Sequence, residues 1–217
     1  MFVETLFTAP EYFLWWILIA VFSVCLHELF HALAAYYEGD DTAKRLGYFT
    51  LNPLVHMGTQ SLVILLLTGM CWGACPVNPS RFRHRYGEAL VAFAGPFANL
   101  LLMFLFALAG IAVAFCGSLN LIPETPANNL ERFLSMASRA NAAFFLLNML
   151  PVPPLDGHGI AVSLFPSLRP FYARLGQAGF ALIILLFWLP VGFSRFFWQL
   201  SAQMSLACYA LLIQALR

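Results

Sequence analysis

The stretch YFLWWILIAVFSVCLHELFHALAAYY, residues 12–37, decides how the rest of the chain is read. It is long and apolar enough to cross a bilayer as one helix, because about 20 apolar residues span the hydrocarbon core. Yet it carries His27, Glu28 and His31 within little more than one helical turn. Ionisable groups at such depth are costly unless they are paired, hydrated or bound to a metal. The stretch therefore predicts a membrane-embedded helix with a polar site built into it.

Composition extends that reading to the whole chain. Of 217 residues, 61% are hydrophobic and only 10% charged, and the mean hydropathy is +0.80. An ordinary soluble domain has about 25% charged residues, enough to cover its surface. Here lipid must solvate most of the exterior, which restricts spanning elements to helices or closed barrels. The formal net charge of +1 offers no field for nucleic acid, so no nucleic-acid partner is expected. Cys25, Cys71, Cys75, Cys116 and Cys208 are scattered through apolar stretches and read as small packing residues. The N-terminus lacks a basic n-region, and its first charges are Glu4 and Glu11, so it reads as a retained first span.

Further apolar runs lie at about Glu88–Phe115, Leu130–Leu150, Leu175–Val191 and Phe196–Leu216. A polar loop, Glu38–His56, and a short apolar run, Ser61–Trp72, separate the first two long spans. Lys44 and Arg45 flank that short run on one side, and Arg81, Arg83 and Arg85 on the other. By the positive-inside rule both clusters face the cytoplasm, so the short run should dip into the membrane and return. Arg132, Arg139 and Arg195 fall on the outer side and run against the scheme. The expected architecture is an all-α polytopic membrane protein with five to six transmembrane helices and a re-entrant segment between the first and second full spans. It forms a single membrane-embedded domain, 1–217, with a core at about 12–160 and additional helices at about 170–217. This layout brings His31 and Asp156 toward the same, cytoplasmic, side.

His27-Glu28-Leu29-Phe30-His31 fits H-E-x-x-H. Helical positions i and i+4 lie about 40° apart in azimuth and one turn apart in height. Two imidazoles can then grip one metal while the intervening Glu faces a metal-activated water. A catalytic zinc takes a third protein ligand and keeps a fourth position open. Asp156 follows an apolar helix through Pro151, Pro153 and Pro154, which hold the chain extended, and Gly157 permits a turn. His158, two residues on, is the other candidate for that third ligand.

Three motifs together resemble the site-2 protease family in its small form without accessory domains. They are His27-Glu-Leu-Phe-His31, Gly95-Pro96-Phe97-Ala98-Asn99, and Asn148-Met-Leu-Pro-Val-Pro-Pro-Leu-Asp156-Gly157. Leu51-Asn52-Pro53-Leu54-Val55-His56 and Pro76-Val77-Asn78-Pro79 resemble the segment linking the family's first two motifs. The resemblance covers about residues 20–160. It implies one zinc ion per chain held by His27, His31 and Asp156, with Glu28 as general base and Asn148 near the reacting carbonyl. It further implies hydrolysis within or near the transmembrane segments of membrane-protein substrates, which would meet the extended edge of the re-entrant segment. A multi-pass protein of the prokaryotic plasma membrane, with its active site toward the cytoplasm, is the expected setting. Gly95, Pro96 and Asn99 read as packing residues between helices. His158 departs from the family pattern, in which Gly or Arg commonly follows Asp-Gly. His56 and His84 read as loop and headgroup-facing residues. Two other classes compete: a metal-binding transporter, which would need polar residues continuing along a transbilayer path, and an inactive relative that binds membrane helices. The intact Glu28 argues against the second.

Overall fold

The computed structural model describes residues 2–175, 178–188 and 192–215. Among these the regular structure is helical throughout, with no strand. The principal helices are α1 (Pro10–Tyr37), α2 (Gly58–Thr68), α3 (Gly87–Ser118), α4 (Glu124–Asn148), α5 (Asp156–Leu164), α6 (Ala178–Trp188) and α7 (Phe193–Ala215). Val191 and Leu216, the expected ends of the last two spans, lie outside the described residues.

Among the described residues, three helices are long and apolar enough to cross a membrane: α1, α3 and α7. α4 has 25 residues, a rise of about 37 Å at 1.5 Å per residue, but it carries Glu124, Glu131 and Arg132 in its first half and Arg139 just beyond. It begins six residues earlier than its apolar run because Pro126 falls in the first turn, where a missing N–H leaves no bond unmade. α2 has eleven residues, a rise of about 16 Å against a hydrocarbon core of about 30 Å.

α3 is the central element. It runs along α4 over its longest face and also packs on α1, α5 and α7. Small residues permit this. α3 buries Ala89, Gly95, Ala98, Ala107 and Gly110, α1 buries Ala20, Ser23, Ala32 and Ala35, and α4 buries Ala137, Ser138, Ala140, Ala142 and Ala143. Without a hydrophobic drive between helices in lipid, close backbone approach and interhelical hydrogen bonds supply the association. Ser138 Oγ, for example, donates to the Met103 carbonyl at 3.1 Å and lies 2.9 Å from Ser205 Oγ, joining α4 to α3 and α7. Leu90, Phe93, Phe97, Leu101, Phe104 and Leu108 of α3 face outward, as lipid contact requires.

The stretch between α2 and α3 contains a short 3-10 turn, Pro79–Arg81, and its extended part joins no β-ladder. Its anchors are individual bonds. Trp16 Nε1 donates to the Gly69 carbonyl at 2.8 Å, Trp72 N–H donates to Ser61 Oγ at 2.9 Å, and Ala74 N–H donates to the His56 carbonyl at 2.9 Å. Trp16 thus ties α2 to α1. Beyond α1, Asp40 is fully buried and accepts from Asn78 N–H at 2.6 Å and from Thr42 Oγ1 at 2.5 Å. Burial raises the Asp40 pKa, but the hydrogen bonds from Thr42 and Asn78 outweigh it and hold the carboxyl below its usual range. All five cysteines are free thiols; Cys25 and Cys208 are buried.

Candidate metal centre

The helical spacing of His27 and His31 sets both imidazoles on the side of α1 that meets α3. Their rings lie edge to face, and the two Nε2 atoms are 3.0 Å apart. Asp156, at the first position of α5, completes the group. Its Oδ2 is 3.0 Å from His27 Nε2 and its Oδ1 3.3 Å from His31 Nε2. The three ligand atoms all lie within 4.8 Å of one another.

Gly157 brings Asp156 into place, though by a different route from the one its type suggests. It is not in a left-handed turn. It sits in the first turn of α5, packed so tightly on the Met149 and Leu150 carbonyls that any Cβ would collide with them. The Pro151–Leu155 bend ends against Tyr172, whose hydroxyl donates to the Pro151 carbonyl at 2.9 Å. Asp156 therefore stands at a helix N-terminus, where the dipole favours a carboxylate.

Each imidazole is also held from behind. His31 Nδ1 lies 2.7 Å from the Val91 carbonyl, and His27 Nδ1 2.7 Å from Asn99 Oδ1, both on α3. A carbonyl only accepts, so His31 Nδ1 carries the proton and its Nε2 lone pair points into the group. Asp156 Oδ2 is buried with no hydrogen-bond donor. Inward lone pairs beside an orphaned carboxylate oxygen repel one another unless a cation sits among them. Zinc bonds of about 2.0–2.1 Å put tetrahedral neighbours about 3.3 Å apart, close to the spacing seen here. The donor set of two imidazoles and one carboxylate fits a catalytic zinc, with one position left over.

Glu28 is buried beside this group. Its carboxyl is covered by Gly73 of the extended segment, where a Cβ would overlap Glu28 Cγ and Oε1. Gly95 of α3 faces the two Nε2 atoms in the same manner. Gly73 and Gly95 thus form walls of the site.

Other sequence candidates separate clearly. His158 is not with the metal-ligand group; its ring packs edge-on against Tyr172 at 4.5 Å. Asn148 ends α4, half-buried, its amide donating to the Phe144 carbonyl one turn back at 3.1 Å. His56 is buried in the turn Pro53–His56, its Nε2 2.7 Å from the Thr50 carbonyl. His84 is exposed but bound: its Nδ1 lies 2.9 Å from Glu38 Oε1, and its N–H donates to Glu38 Oε2. Asn141 and Ser23 went unrecognised as part of the site. Asn99 Nδ2 donates to Asn141 Oδ1 at 3.1 Å, and Asn141 Nδ2 donates to Ser23 Oγ at 3.0 Å. Ser23 precedes His27 by four and shares its face, and that periodicity was the signal available.

Known proteins are similar to this chain in sequence. The chain is 37% identical over 176 residues to YwhC of Bacillus subtilis, covering 79% of each chain. It is 32% identical over 186 residues to Rip2 of Mycolicibacterium smegmatis, covering 82% of this chain and 68% of the relative. Rip2 of Mycobacterium tuberculosis strain H37Rv is 34% identical over 172 residues, with 76% and 62% covered. All three bear the name "Putative zinc metalloprotease". No family model matches the chain, and no solved structure does. With this identity running along most of both chains, and the paired histidines meeting an aspartate from the Pro-rich bend, the chain belongs to the site-2 protease family of zinc metalloproteases.

Proposed function

We propose that this protein is an intramembrane zinc endopeptidase that hydrolyses peptide bonds within or near transmembrane segments of membrane-protein substrates. The observation that carries the reading is the convergence of His27, His31 and Asp156, with Glu28 alongside, on a helix apolar enough to cross a bilayer. His27 Nε2, His31 Nε2 and a carboxylate oxygen of Asp156 hold one zinc per chain. Bound there, a zinc ion would supply Lewis acidity and would lower the pKa of an attacking water toward about 7. Glu28 takes that water's proton on its carboxylate and passes it to the leaving amine. Asn148 turns its amide toward the developing oxyanion once substrate occupies the bend.

The whole chain, 1–217, acts as one membrane-embedded domain with a re-entrant segment after the first span, in a prokaryotic plasma membrane. The site opens toward the cytoplasmic side, where Lys44, Arg45, Arg81, Arg83 and Arg85 lie. Helical carbonyls are hydrogen-bonded and hidden, so the substrate segment must unwind before attack, and spans carrying Gly, Asn or Pro are favoured.

The test needs no substrate. Detergent-purified wild type should carry about one zinc per chain by elemental analysis, and Asp156→Ala should lose most of it. A wild type without zinc after mild repletion sinks the reading.

A further inference from the structure

We infer that Asn141, which touches neither a ligand atom nor the reacting groups, is a positioning residue that fixes which nitrogen of His27 faces the metal. The inference rests on the metal reading above. Its basis is a hydrogen-bond chain whose direction is set at one end by the backbone. Asn141 is fully buried on α4, and its Nδ2 lies 2.9 Å from the Ala137 carbonyl of the same helix. A carbonyl can only accept, so the nitrogen of the Asn141 amide must point there. Its oxygen then faces α3, where it meets Asn99 Nδ2 at 3.1 Å. That orients the Asn99 amide in turn and leaves Asn99 Oδ1 as the atom 2.7 Å from His27 Nδ1.

An amide oxygen beside an imidazole nitrogen requires the nitrogen to donate. His27 therefore holds its proton on Nδ1, and its Nε2 lone pair faces His31 and Asp156. If the Asn99 amide turned over, its NH2 would face Nδ1 and favour the proton on Nε2, where it blocks a metal. Asn99 alone cannot prevent this, because either end of a primary amide can pair with an imidazole. Asn141 prevents it, because a turned Asn99 would set oxygen against oxygen at Asn141 Oδ1, and reversing Asn141 to relieve that would set oxygen against oxygen at Ala137. His31 needs no such device, since the Val91 carbonyl fixes it directly. The asymmetry explains why two fully or nearly fully buried asparagines lie behind one histidine and none behind the other.

The experiment measures zinc affinity by competition with a chelator on the full-length protein in detergent. Asn141→Leu keeps the volume and removes both ends of the amide. Ser138→Ala removes another fully buried polar group from the same helix but lies outside the chain. Asn141→Asp, in its neutral carboxyl form, keeps an oxygen that accepts from Asn99 and a hydroxyl that can donate to the Ala137 carbonyl. The expected result is about 10–100-fold weaker zinc binding in Asn141→Leu, the usual effect of losing an outer partner of a metal-bound histidine. Ser138→Ala and Asn141→Asp should stay within about threefold of wild type. Wild-type affinity in Asn141→Leu, or an equal loss in Ser138→Ala, overturns the inference. Should Asn141→Leu not fold, Asn141→Asp decides, and a tenfold loss there refutes the chain of orientation. A wild type that binds no zinc overturns the metal reading itself and is seen before any variant is made.

Discussion

Gly95→Ala is the sharpest probe of the site's geometry, because it adds one methyl group and no charge. Within a helix this change ordinarily stabilises by roughly 0.5–1 kcal/mol. At Gly95 the new Cβ would point at both Nε2 atoms of the histidine pair. Carbon needs about 3.5 Å to a non-bonded neighbour, and here it would intrude by about 1 Å on each nitrogen. Neither ring can retreat freely, because both are tied at 2.7 Å to the helix that carries the methyl, through Val91 and Asn99. The remaining relief is for α3 to move away from α1 by about that 1 Å. Those bonds would then stretch to about 3.7 Å, beyond the range in which N–H···O interactions hold.

Each oriented histidine that loses its outer partner weakens metal binding about 10–100-fold. With two affected, zinc affinity should fall at least about 100-fold, and proteolysis with it. Chelator competition on detergent-purified protein reads the affinity. Gly117→Ala on the same helix is the control, because its Cβ meets only Ala127 Cβ at an ordinary 3.4 Å. Gly95→Ala that binds zinc within threefold of wild type would refute the claim that α3 closes directly on the ligand nitrogens.

Two further outcomes follow from the same geometry. Glu28→Gln should keep its zinc yet lose about 10²–10⁴-fold in peptide-bond hydrolysis, the usual worth of a general base; loss of zinc along with activity would assign Glu28 a different part. Glu38 is raised by burial, but donation from His84 and from the Arg83 and His84 backbone more than offsets it, so its pKa lies below the usual 4.5. A depressed carboxylate stabilises the fold above its unfolded pKa, and that contribution fades as pH falls through the folded value. Glu38→Gln should therefore lower the Tm at neutral pH, with the gap to wild type closing as pH falls through the depressed folded value; a gap independent of pH would assign the loss to packing instead.

Much of this site was legible in the sequence because its chemistry is local. His27, Glu28 and His31 need only helical spacing, and Asp156 needs only the stiff bend that precedes it. What escaped was contact at a distance. Gly157 looked like a turn glycine, since sequence shows its type but not the Met149 and Leu150 carbonyls against which it packs. Asn99 looked like a tie between helices, which it is, but the partner on its far side is 42 residues away on α4. His84 looked solvated and is indeed exposed, yet it is held by Glu38, 46 residues earlier. The expected spans Leu130–Leu150 and Ser61–Trp72 have their limits set by apolar content, whereas α2 ends at the left-handed Gly69 and α4 starts earlier, with Pro126 in its first turn.

The rotation of α1 about its own axis follows from one consideration. Ser23, His27 and His31 recur every four residues and form a single stripe. Leu14, Leu18 and Phe22 form a second stripe, each nine residues before a member of the first. Nine residues turn a helix by about 900°, which is half a turn beyond two, so the stripes lie on opposite sides. The first is buried and the second exposed. Were the helix turned the other way, three hydrogen-bonding side chains would face lipid with no partner, each at a cost of several kcal/mol. Facing inward, each meets a counterpart from a different place: Asn141 for Ser23, Asn99 for His27, the Val91 carbonyl for His31. The interactions that seat α1 in the bundle are thus the same ones that orient its histidines. A substitution in this stripe should damage assembly and metal binding together, whereas one in the Leu14–Phe22 stripe should touch neither.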